Sequence, residues 1–230
     1  MLSTLYRWPS PAHFGRVVPK TKFYEHGTIT KPIRDKFVAE VQRITWAYKL
    51  ADATIHLRES EAVPEIQVFV IDAKAEDVSD TVLAAIDKAV RMPIIFEINR
   101  NDGSDETTRM TATHKQASET IKSTASYFST NWIPADHERS ALPTAIDLAA
   151  LYASLISPLL PIDPRPGERL ADTATRLADA RKLEREIASI ERRLRNEPQF
   201  NRKVELRRQL RERTAARDSF RSPDQPNAAS

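Results

Sequence analysis

The sequence contains no cysteine, so disulfide bonds, thiolate metal ligation and cysteine nucleophiles are excluded. Glycine is almost as scarce. Four glycines in 230 residues leave little material for loops that cradle phosphates, and neither the Walker nor the dinucleotide-binding pattern occurs. The glycine-flanked serine of a nucleophile elbow is missing too. A membrane-spanning helix needs about 18 or more uninterrupted apolar residues. The longest candidate, AIDLAALYASLISPLLP, carries Asp147 and ends in prolines, so it reads as a core helix. The start, MLSTLYRWPSPAHFG, lacks the apolar stretch of a signal peptide. A soluble, cytoplasmic protein with no membrane partner is expected.

What is present suits one full domain with an appendage, at 40% hydrophobic and 29% charged residues. The net charge of +3 is unevenly spread. Residues 168–221 hold 16 basic and 10 acidic side chains, a net of +6, and the remainder is mildly acidic. A basic surface over the whole body is therefore unsupported.

Residues 1–30 show no clear period and read as an irregular N-terminal segment. From Lys31 a helix is expected: Pro32 suits its first turn, and Ile33, Phe37, Val41 and Ile44 recur at helical spacing. TWAYKL continues it or begins a short strand. EIQVFVIDA and IIFEI are strands, joined by a helix through Val78, Val82, Ala85, Ile86 and Ala89, with Asp77 or Ser79 as its cap. Such a unit places its strands parallel, through a right-handed crossover. Asn101-Asp102-Gly103 is a turn signal, after which RMTATHK can return antiparallel. SYFSTNWI suggests another strand, and residues 144–156 an apolar helix.

PLLPIDPRPG then breaks the chain. Beyond it Leu170, Ala174, Leu177, Ala180, Leu183, Ile187, Ile190 and Leu194 form a heptad seam, ended at Asn196-Glu197-Pro198. Phe200, Val204, Leu206 or Arg207, and Leu210 restart a weaker pattern. The expected architecture is a mixed α/β domain (1–160, with its irregular N-terminal segment), a proline-rich linker (161–167), an antiparallel coiled-coil helical hairpin (168–220) and a disordered tail (221–230). The hairpin's second arm is too polar to bury much alone, so it packs loosely or a partner covers it.

Three chemistries compete with bland readings. Asp72-Ala73-Lys74 at a strand end resembles the acidic-x-Lys half of a restriction-type nuclease site. There carboxylates hold a divalent metal and the lysine orients water or stabilises charge. Glu65, Asp52 or Glu97 would have to supply the second carboxylate, and a solvated strand end is the plain alternative. The histidines at 13, 26, 56, 114 and 137 are too scattered for a zinc site, and no metal or cofactor is expected. Trp46, Tyr48 and Lys49 could stack bases, although Trp46 reads more simply as a packing anchor. Phe69, Ile95 and Phe96 belong to the core.

On the hairpin, Arg202, Lys203, Arg207, Arg208, Arg211 and Arg213 could present cations to phosphates. Glu197, Glu205 and Glu212 interrupt them, and alternating charge is also what coiled-coil flanks use to select a partner. Leu183, Ile187, Ile190, Leu194, Phe200, Val204 and Leu210 are the candidate docking residues.

In order along the chain, PKTKFYEH (19–26), VQRITWAYKL (41–50) followed by Thr54-Ile55-His56-Leu57, EIQVFVI (65–71), VLAAIDKAVRMPIIFEI (82–98) and QFNRKVELRRQL (199–210) resemble a bacterial family of domains of unknown function, numbered forty-three ninety-one. The resemblance implies a place beside helicases and DNA methyltransferases in restriction-like, anti-phage gene clusters, and it carries over no functional residue. The resulting expectation is an accessory subunit docking a helicase, methyltransferase or nuclease partner through the hairpin, with DNA contact open. A metal-dependent nuclease and a sequence-independent nucleic-acid-binding protein are the alternatives.

Overall fold

In the computed structural model, residues 5–26, 29–101, 103, 105–115, 127–161, 165, 168 and 170–221 are described. Two strongly apolar runs lie side by side. β3 (Ile66–Ala73) and β4 (Ile94–Asn101) pair in parallel, with Val70 opposite Glu97 and Asp72 opposite Asn99. Both are interior strands with buried residues on each face, which is why their sequences are nearly continuous in apolar residues. Helix α4 (Asp80–Ala89) connects them and buries Val82, Leu83 and Ile86. Ser79 is its N-cap residue without a capping side-chain bond, while the Asp77 carboxylate accepts from the Val78 amide.

The other strands are antiparallel to their neighbours. β1 (His13–Val17) pairs with β2 (Val41–Leu50), β2 with β3, and β4 with β5 (Glu106–Ala112). The short β6 (Phe128–Ser129) and β7 (Ile133–Pro134) both pair with β5, completing a seven-stranded mixed sheet. Seven helices accompany it among the described residues: α1 (Lys20–His26), α2 (Lys31–Glu40), α3 (Asp52–Ile55), α4, α5 (Leu148–Ile156), α6 (Leu170–Asn196) and α7 (Phe200–Arg221). The fold is mixed α/β. No described helix is long and apolar enough to cross a membrane.

Strand alternation sorts the core onto two faces. Phe69, Ile71, Phe96 and Ile98 pack with Phe37 of α2 and with Val82 and Ile86 of α4. On the other face Val68, Ile95 and Met110 are buried. Trp8 of the N-terminal segment reaches Glu97 on that face.

Three local readings change. The N-terminal residues are not irregular throughout, because residues 13–17 add a strand and residues 20–26 a helix. Within β1, Phe14 and Gly15 together oppose Ala47, and this bulge hides the alternation. The helix from Lys31 stops at Glu40, so Val41 and Ile44 lie in β2 instead. An irregularity between Val41 and Arg43 inserts one extra residue, which puts Val41 and Ile44 on the same sheet face. Their three-residue spacing thus imitates a helix. The stretch SYFSTNWI yields two two-residue strands instead of one.

The chain divides into two compact units, Met1–Pro161 and Ile162–Ser230. Within the second, α6 and α7 lie antiparallel: Arg176 near the start of α6 donates to the Phe220 carbonyl, and Glu186 pairs with Arg213 at 3.2 Å. Of the expected linker only Pro161 and Arg165 fall among the described residues, and positions 222–230 of the expected tail lie outside them.

Candidate functional site

Glu97 is the lone carboxylate in the run IIFEI. Alternation turns it away from the Phe96 core, and it is only 4% exposed. An isolated carboxylate cannot stay charged at that depth without partners. Arg139 supplies a two-pronged pair, at 2.8 and 3.1 Å, and the Trp8 indole N–H donates to the same carboxylate at 2.8 Å. Arg139 is held protonated beyond the arginine norm, first by these hydrogen bonds.

Beside Glu97 a polar line crosses four strands. Arg43 on β2 donates to Asp72 on β3 at 2.7 Å, and Asn99 on β4 donates to the other Asp72 oxygen at 3.1 Å. The Thr108 hydroxyl on β5 then donates to the Asn99 side-chain amide oxygen at 2.9 Å. Between this line, Glu97 and the N-terminal segment lies a pocket of about 400 Å³. Its floor includes Thr45, Ala47, Val70 and Asn99; Arg7, Trp8, His13 and Arg139 form walls.

The bulge in β1 places His13. Gly15 adopts φ +65°, and a Cβ there would lie 2.7 Å from His13 Cε1, so the glycine both turns the strand and clears the imidazole. The ring stands edge-on to Tyr48 at 5.5 Å, and Tyr48 neighbours Trp8 at 6.0 Å.

The sequence-level candidates fare unevenly. Asp72 and Glu97 do share a face on adjacent strands, but each is already engaged by arginine. Lys74 instead donates to the Val38 carbonyl, and Glu65 pairs with Lys49 at 2.6 Å. Asp52 starts α3. No group of three or more potential metal ligands occurs among the described residues. Trp46 and Tyr48 fall on opposite sheet faces; Trp46 stacks on Phe69 at 6.0 Å and contacts Phe14 at 4.2 Å. The base-stacking platform therefore does not assemble, and Trp46 packs. Among the histidines, His13 alone lines the pocket; His56, with φ 54°, ends α3.

In α6, Leu183, Ile187 and Ile190 are buried and Leu194 half-buried. In α7, Leu206 is buried and Leu210 half-buried, yet Phe200 is 73% and Val204 48% exposed. Arg208 is taken by Glu205 and Glu212, and Arg213 by Glu186. Arg202, Lys203, Arg207 and Arg211 make no ion pair among the described residues. At the opposite end Arg165 and Arg176 donate to the Ser219 and Phe220 carbonyls, satisfying the last turn of α7.

The model of one family, described as Domain of unknown function (DUF4391), matches residues 7–216. The chain belongs to this family. The DUF4391 match runs from the pocket wall at Arg7 into the last turns of α7. No curated protein and no solved structure matches the chain.

Sequence reasoning missed the pocket, although two signals pointed to it. One was a carboxylate inside an apolar strand, which demands a partner. The other was a glycine among the aromatic and basic residues of HFGRV.

Proposed function

We propose that this DUF4391 protein is a non-enzymatic accessory subunit that docks a larger protein partner through its C-terminal helices, which act as a coiled-coil hairpin. The setting that its family resemblance suggests is a restriction-like defence assembly with a helicase, methyltransferase or nuclease component. The observation that carries this reading is a stripe on α7. Phe200, Val204, Arg207 and Arg211 follow at spacings of four, three and four residues, so they share a helix face turned away from the buried Leu206. All four are exposed.

Two apolar side chains continued by two cations that make no ion pair among the described residues support one kind of occupant. It is an acidic amphipathic helix of the partner, whose apolar side covers Phe200 and Val204 while its carboxylates meet Arg207 and Arg211. The same arginines could approach DNA held by that partner. The nuclease alternative is less favoured, because Asp72 and Glu97 would have to surrender their arginines to a metal.

The test is copurification from the native operon with the tagged full chain, washed at high salt. Wild type retains a stoichiometric partner, and Phe200→Glu with Val204→Glu releases it without altering the circular dichroism spectrum. A wild-type chain that elutes alone would sink the proposal. So would a partner retained equally by the double variant.

A further inference from the structure

We propose that the pocket beside Glu97 binds a nucleoside monophosphate, either free or as the 5′-terminal nucleotide of a single strand. The lining has more donors to offer than acceptors. Arg7 spends one N–H on the Arg139 carbonyl at 3.3 Å, and no other hydrogen bond engages its guanidinium among the described residues. The His13 ring nitrogens and the Thr45 and Tyr48 hydroxyls likewise have no partner there. Glu97, the single carboxylate in the lining, is consumed by Arg139 and Trp8. With two arginines against one carboxylate the lining is net positive. Unspent guanidinium, imidazole and hydroxyl donors complement a small, acceptor-rich dianion, for which a phosphate monoester is the simplest candidate.

Three further observations specify what carries the phosphate. The volume of about 400 Å³ lies in the range of sites for small organic ligands and exceeds what a bare phosphate needs. One wall is aromatic: the half-buried Tyr48 ring lies 5.5 Å from the exposed His13 ring, which it meets edge-on, and 6.0 Å from the buried Trp8, so a flat base can stack on the face of a single ring. Apolar Ala47 and Val70 on the floor leave room for a sugar face. A pocket of this size has room for about one nucleotide, and its unspent donors favour the dianionic phosphate of a 5′ end over the monoanionic diester inside a strand.

Calorimetric titration of the full chain tests this with each of the four nucleoside 5′-monophosphates, the matching nucleosides and inorganic phosphate. At least one monophosphate should saturate a single site. Loss of the phosphate should weaken binding by about tenfold or more, the scale of one charge-assisted hydrogen bond, and loss of the base and sugar by a similar factor, the scale of one stacked base. Arg7→Gln should weaken it similarly while leaving the melting temperature unchanged. Gly15→Ala, which pushes the His13 ring from its place, should also weaken it. Competition by a 5′-phosphorylated tetranucleotide but not its 5′-hydroxyl form would assign the ligand to a strand end; failure of both to compete would assign it to the free nucleotide. No saturable binding at millimolar monophosphate overturns the proposal, as do equal binding of inorganic phosphate and an Arg7→Gln variant that binds like wild type.

Discussion

Arg139 places two guanidinium nitrogens on the two carboxylate oxygens of Glu97, at 2.8 and 3.1 Å, across 42 residues of sequence. The pair ties the loop after β7 to the middle of β4 and closes one wall of the pocket.

Removing one member leaves the other charged and unpaired. Arg139→Met should cost about 3 kcal/mol in urea-induced unfolding, since Glu97 is then buried with the Trp8 indole as its one remaining donor among the described residues. Glu97→Gln, which keeps an acceptor for Trp8 and removes the charge, should cost less. Equal losses in the two variants would show that charge is not the deciding factor.

A second buried pair lies at the end of α4. Lys115 is 1% exposed; it meets the Asp87 carboxylate at 2.8 Å and the Asp87 carbonyl at 2.6 Å, and also donates to the Val90 carbonyl. Tyr127 donates to the other Asp87 oxygen, and burial is the first cause holding its phenol protonated beyond the usual tyrosine range. Lys115→Met should destabilise by about 3–5 kcal/mol, because Asp87 loses its countercharge. Adding Asp87→Leu should restore part of that loss. Chemical denaturation of the two variants separates an uncompensated charge from lost packing.

Gly15 is under backbone as well as steric constraint. A left-handed alanine costs about 1–2 kcal/mol, and its Cβ would meet the His13 ring at 2.7 Å. Gly15→Ala should therefore lower the melting temperature and shift the His13 imidazole resonances. His13→Ala combined with Gly15→Ala should relieve the steric part and leave the backbone part.

Acid should weaken the C-terminal pair of helices through Glu168. Its carboxyl is held down to about 2, first by hydrogen bonds from Arg176. A carboxyl lowered in the folded state contributes stability in full above its unfolded value near 4.5, and that contribution fades as pH falls towards about 2. Helicity followed from pH 5 to pH 2 should show this acid-dependent loss, and Glu168→Gln should remove that component. An unchanged acid profile in the variant would exclude Glu168 as its source.

Much of the sheet was legible because β3 and β4 are interior strands, and burial on two faces writes a dense β-branched and aromatic signature. The helix α4 between them was legible by its period and implied their parallel pairing. Bulges defeated the reading elsewhere: one put Val41 and Ile44 on one face at helical spacing, and another concealed β1. The candidate site was the least legible part. Its members come from residues 7–15, 43–48, 70–72, 97–99, 108 and 139, and no local spacing connects them.

By itself the sequence determined what the absence of cysteine excludes and where the apolar strands lie, because composition and residue pattern are local properties of the chain; which residues of α7 stay exposed was decided by packing. Pairing was decided only by the tertiary structure. Strand register set Glu97 and Asp72 on one face and Trp46 and Tyr48 on opposite faces. Long-range folding brought Arg139 and Trp8 to Glu97, and beside it left the Arg7 guanidinium with one hydrogen bond and the His13 ring with none among the described residues. A charged group's role depends on which opposite charge reaches it in a desolvated place, and that is a property of distances in space, which residue order does not contain.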